Sequence, residues 1–172
     1  MAAANTGSQP PIANHESSDD RSFLEKVMRQ AGLIDPYDAR DITEVVFRCM
    51  RDLMTTEASD RVADELPNAE VLKSAEAKSL QIGVDDLWQD TNPLVSFLSR
   101  IRPPLHGSGF WRFDADRFVF RVANEASVPR NLDPERVIQA VFSATKDELS
   151  EERVEEVARW LPDRVRQIWE QA

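Results

Sequence analysis

The sequence predicts an all-α fold, a tandem repeat of small helical bundles joined by an apolar connector helix. Three observations carry that expectation. First, Phe23–Pro67 lies on Phe118–Pro162 at a constant offset of 95 residues, without a gap and with 12 of 45 positions identical. Second, apolar residues recur at spacings of three and four, the signature of one helix face, and the β-branched clusters fall on the same spacing. Third, Ser, Thr, Asp, Pro and Gly stand where helices of that phase would start and stop.

Each element follows in order. Residues 1–20 read as a disordered tail, because their small, polar and Pro residues cannot bury enough surface to offset chain entropy. They lack the basic start and apolar centre of a secretory signal and the arginines of a transit peptide, so the expected location is cytoplasmic. Residues 21–90 form the first copy. Asp20 or Ser22 caps its first helix, Phe23, Leu24, Val27, Met28 and Ala31 form the stripe, and Gly32 stops it. A second helix starts at Asp35-Pro36 or at Asp38. The repeat favours Asp38, which aligns with Asp133 ahead of Pro134. Ile42, Val45, Val46, Cys49, Met50 and Leu53 then make a wide apolar face. Thr55 or Thr56 caps the third helix, as Ser150 does in copy two, with acid in the first turn of each. Pro67 and Pro162 end that helix or open the next.

Beyond the prolines, Val84, Leu87 and Trp88 match Val165, Ile168 and Trp169 at an offset of 81, which makes residues 68–81 a 14-residue insertion in copy one. Residues 91–111 are read as a connector helix and loop, with Leu94, Val95, Phe97, Leu98 and Ile101 too apolar for a solvated linker. The connector is therefore expected to pack between the copies and join them into one cooperative unit, because each copy alone is marginal in size. Residues 112–172 are the second copy, and the whole chain should hold eight to ten helices.

Composition narrows function. A formal net charge of −10 opposes phosphate backbones and anionic membranes and favours a protein partner with a basic face. No apolar run is long enough to span a bilayer. Cys49 is the single cysteine, inside an apolar helical run, and reads as a small buried hydrophobe. His15 and His106 are the only histidines, and no metal-ligand or phosphate-loop spacing occurs, so no metal, cofactor or catalytic residue is expected. The acidic pairs Asp85-Asp86, Glu151-Glu152 and Glu155-Glu156 read as solvated faces. Arg159, Arg164 and Arg166 beside Trp160 and Trp169 have the ingredients of a nucleic-acid groove, but are read instead as helix-end cations with the rings packed inward, and no nucleic acid is expected as a partner.

The repeated Phe-x3-Val start, the Val-Phe helix, the acidic opening of the third helix and Leu-Pro-Asp-Arg-Val-Arg-Gln-Ile-Trp at 161–169 resemble the uncharacterised bacterial family named domain of unknown function 2267. The resemblance covers about residues 22–172. It implies short helical units in tandem and carries no catalytic residues. The expected function is therefore non-enzymatic: a protein-binding adaptor, assembly factor or regulatory subunit. Phe97, Arg100, Arg102, Phe110 and Trp111 are the expected partner-binding residues, since aromatics and Arg dominate interface hot spots. The alternative is a helical bundle holding an apolar small molecule between the copies. Oligomeric state is left open.

Overall fold

The computed structural model describes residues 22–67, 83–89 and 115–172. These residues are all-α, with no strand among them and eight helices. They are α1 (Phe23–Ala31), α2 (Pro36–Leu53), α3 (Thr56–Ala63), α4 (Val84–Trp88), α5 (Ala115–Glu125), α6 (Pro134–Asp147), α7 (Glu151–Trp160) and α8 (Asp163–Gln171). The tail, the 68–81 insertion and the 91–111 connector lie outside the described residues, so the connector's expected place between the copies is not described either.

Local chemistry accounts for the helix ends. Ser22 opens α1 with a capping box: its hydroxyl accepts from Glu25 N at 3.3 Å while the Glu25 carboxylate accepts from Ser22 N at 3.3 Å. Gly32 closes α1 at φ 77°, and the N–H groups of Gly32 and Leu33 both reach the Met28 carbonyl at 2.9 Å. Its counterpart 95 residues on, Ser127, holds φ 49° without being glycine. A Cβ at position 32 would meet no other atom within 4 Å, so its cost is confined to the backbone. Gly32→Ala should therefore lower stability by about 1 kcal/mol, and Ser127→Gly should raise it by roughly 0.5 kcal/mol. Urea midpoints of the two variants check both signs.

Helix α2 corrects one expectation. Its N-cap is Asp35, not Asp38: the Asp35 carboxylate accepts from Tyr37 N at 2.9 Å, and Pro36 takes the first helical position. Asp133 and Pro134 do the same for α6, with Glu135 N donating at 3.1 Å. The two Asp-Pro caps stand 98 residues apart, three more than the repeat offset, so α2 carries about one extra turn at its start. The third helices keep register: Thr55 accepts from Ala58 N and Ser150 from Arg153 N.

The step after the prolines also keeps its geometry. Pro162 precedes α8 and its carbonyl accepts from Arg166 N, four residues on, at 2.8 Å. The Pro67 carbonyl accepts from Val84 N at 3.2 Å and from Asp85 N, eighteen residues on, at 3.4 Å. The difference in separation is the 14 residues inferred as an insertion. Helix α4 is thus capped by a carbonyl that its own neighbouring sequence no longer supplies.

The buried interior repeats a three-ring stack. Phe23, Phe47 and Trp88 sit at centroid distances of 5.9 and 5.0 Å, and Phe118, Phe142 and Trp169 at 6.2 and 5.1 Å. In both stacks the last step is edge-to-face, the arrangement aromatic quadrupoles favour. Each indole N–H finds a backbone carbonyl at 3.2 Å, Ser59 for Trp88 and Val154 for Trp169, again 95 residues apart. The halves are not side by side. Helix α1 packs chiefly on α6 of the other half, and α5 returns the exchange by packing on α2. One continuous apolar cluster results, running from Phe23 to Trp169.

Candidate functional site

The exchange of first helices creates a crevice where the end of α1, the outer face of α6 and the end of α8 meet. Gln30, Arg136, Gln139, Ser143, Gln171 and Ala172 line about 200 Å³ of open space there. Gln30 lies in the last turn of α1, two residues before Gly32 stops the helix; Arg136, Gln139 and Ser143 share one face of α6 through their spacings of three and four. Three bonds fix the third wall: Gln139 donates to the Gln171 carbonyl at 3.0 Å, and Lys146 donates to the carbonyls of Trp169 at 3.1 Å and Ala172 at 2.7 Å. The Lys146 ammonium also stands 5.9 Å from the Trp169 ring centroid, near the limit of cation–π attraction.

The crevice differs from its counterpart in the other half. The positions matching Gln30 and Ser143 are Glu125 and Arg48, which form an ion pair at 3.7 Å. Those matching Arg136 and Gln139 are Asp41 and Glu44, and Glu44 accepts from Arg40 at 2.8 Å. One crevice is thus bridged by charge. The other presents amides, a hydroxyl and an exposed arginine that makes no ion pair among the described residues. Such a surface can accept and donate hydrogen bonds and attract one anionic group. Shortly after Gln30 in the chain come two exposed apolar side chains, Ile34 between α1 and α2 at 94% and Tyr37 in the first turn of α2 at 59% of full exposure.

The residues singled out by sequence fall as follows. Phe97, Arg100, Arg102, Phe110 and Trp111 lie outside the described residues. The C-terminal arginines and tryptophans do not form an open basic-aromatic groove. Trp169 is buried in the core. Arg166 donates to the carbonyls of Ala158 at 2.8 Å and Leu161 at 3.1 Å, satisfying the end of α7. Arg164 pairs with Asp116 at 3.2 Å and with Glu135. Trp160 is partly buried against the core, and Arg159 remains exposed.

Of the acidic pairs, Glu151, Glu152 and Glu155 are exposed, while Glu156 is held by Arg61 and Arg153. Hydrogen bonds from Arg61, then from Arg153, push the Glu156 carboxyl below its ordinary range, which is the wrong direction for a general acid at neutral pH. The Glu65 carboxyl is lowered likewise, first by the backbone N–H of Ser150. Burial pushes the Cys49 thiol up to about 12, as expected of a core cysteine with no activating base. Among the described residues no group of three or more His, Cys, Asp or Glu is placed to hold a metal ion. Nor is any described helix long and apolar enough to cross a membrane.

Motif reading did not find the crevice, because Gln, Ser and Arg carry no spacing signature. The signal available was the self-alignment, in which Gln30 and Ser143 replace the charged Glu125 and Arg48. The family described as Uncharacterized conserved protein (DUF2267) matches residues 20–168. The chain belongs to that family. No curated protein matches it.

Proposed function

We propose that this member of an uncharacterised family works by binding another protein, as an adaptor, assembly factor or regulatory subunit, and not as an enzyme. The observation that carries the reading is the exposure of Ile34 and Tyr37, which follow Gln30 in the chain, together with the polar crevice of Gln30, Arg136 and Ser143. An aromatic ring, an aliphatic chain and an arginine rimmed by amides are the makings of an interface hot spot and its rim. The net charge of −10 favours a partner with a basic face over nucleic acid or an anionic membrane, and fits a cytoplasmic protein. Phe97, Arg100, Arg102, Phe110 and Trp111 form the second proposed contact region. An apolar ligand between the halves is less well supported, since Phe47 and Phe142 are fully buried in ring contact with their neighbours.

Affinity capture from the source cells with the full chain as bait, followed by quantitative mass spectrometry, tests this. A protein retained by the wild type should fall at least about tenfold with Tyr37→Ala or Trp111→Ala, the loss of one hot-spot side chain. A wild-type bait that retains nothing, or a protein held equally by both variants, overturns the proposal.

A further inference from the structure

Two of the ion pairs between the halves are related by a rule. Lys26 on α1 pairs with Asp147 on α6 at 3.4 Å, and Arg121 on α5 pairs with Asp52 on α2 at 2.8 Å. Lys26 and Arg121 are 95 residues apart, as are Asp52 and Asp147. Exchanging the members of the first pair under the repeat offset gives the second. A relation that maps half one onto half two and half two back onto half one is a two-fold, the symmetry of an isologous dimer.

On a two-fold axis each position faces its own equivalent. Arg61 on α3 and Glu156 on α7 are themselves 95 residues apart, and they form a salt bridge, with Arg61 Nε also donating to Glu156 at 3.3 Å. The axis therefore passes between them. Two identical halves would set like charges against each other there, arginine on arginine or glutamate on glutamate. This chain sets a cation against an anion, and extends the alternation through Arg153, which bridges Glu156 and Glu65. Glu65 also accepts from the Ser150 N–H and hydroxyl at 3.0 and 2.9 Å. These last contacts have no mirror image, because the positions equivalent to Glu65 and Arg153 are Trp160 and Ala58.

We propose that the charges at this axis are a pairing code: half one, residues 22–89, is matched to half two, residues 115–172, and mismatched to a second copy of itself. The interaction surface of each half is a dimer interface whose proper partner is the unlike half. Mutual attraction between unlike halves, with repulsion between like ones, is how paired interfaces acquire specificity. A contact between two chains through this surface is then directed toward reciprocal exchange of unlike halves and away from like-with-like association.

The full chain tests this. Arg61→Glu leaves glutamate on both sides of the axis, and Glu156→Arg leaves arginine on both sides. Each should lower the urea midpoint, and the double variant, with the charges reversed, should recover most of the summed loss. The two single variants, unfolded and refolded together, should then pair across chains. Light scattering should find a species of twice the monomer mass that neither variant forms when refolded alone. An ordinary surface ion pair predicts the recovery but no cross-chain species. Additive losses in the double variant, or a mixture that stays monomeric, overturns the proposal.

Discussion

Trp169→Ala should remove about 3–5 kcal/mol of stability, enough to leave a domain of ordinary stability barely folded. Trp169 is 1% exposed and makes three contacts at once. Its ring meets Phe142 edge-on at 5.1 Å, its N–H donates to the Val154 carbonyl at 3.2 Å, and the Lys146 ammonium lies over it. Truncation leaves a cavity between α6, α7 and α8 that a short loop at Leu161-Pro162 cannot close. Trp169→Phe separates the parts of the loss. It keeps an edge-to-face ring and drops the N–H donor, so it should cost about 1–2 kcal/mol. Trp88→Ala should match Trp169→Ala in size, since the first half repeats the stack with Phe47 and Ser59. Urea unfolding followed by tryptophan-independent far-UV circular dichroism measures all three. A loss below about 1 kcal/mol for Trp169→Ala would mean the ring stack is not an organising contact.

Much of this interior was legible because it depends on residues close in sequence. The stop at Gly32, the cap at Ser150 and the rings at positions 23, 47, 118 and 142 follow from spacing within one or two turns, which also narrowed the first cap to Asp20 or Ser22 and the third to Thr55 or Thr56. The cap of α2 was misread for an instructive reason. Asp35-Pro36 carries the same Asp-Pro signal as Asp133-Pro134, but it is displaced by three residues, and the repeat register drew the start toward Asp38. Adding three residues to a helix start changes its length and leaves its buried face nearly in phase, so the register did not reveal the difference. The exchange of first helices was not legible at all from periodicity. An apolar stripe states that a face is covered and not which helix covers it. The trace it did leave was electrostatic. Lys26 with Arg121 and Asp52 with Asp147 are charged matches in the alignment, and they turn out to form two of the ion pairs that cross between halves. The crevice at Gln30, Arg136 and Ser143 stayed hidden because it needs that exchange before its three walls come together.

Val27→Asp should be more damaging than any truncation, and its consequences should appear in the opposite half of the chain. Val27 is completely buried on α1, the helix that packs on α6. A carboxylate there loses its hydration with no partner placed to receive it, a cost of several kcal/mol. Lys26 beside it points instead to Asp147 and Glu148, each at 3.4 Å. Burial raises the folded-state pKa of such an Asp above its unfolded value, so the native state binds the extra proton. The added penalty is therefore greatest at neutral pH and shrinks as pH falls toward the unfolded value near 4. Compared with wild type at the same pH, Val27→Asp should be unfolded or nearly so at pH 7 and should recover part of the difference at pH 4. Val27→Ala should cost roughly 2 kcal/mol with no such pH dependence. Hydrogen exchange locates the damage. If α1 belonged only to its own half, α6 amides would keep their protection in a partly destabilised variant. Because α1 lies on α6 and α5 returns the contact to α2, Val27→Ala should speed exchange at Ile138 and Val141 as much as at Ile42 and Val46. Protection lost in the first half alone would show that the halves unfold independently despite their exchanged helices.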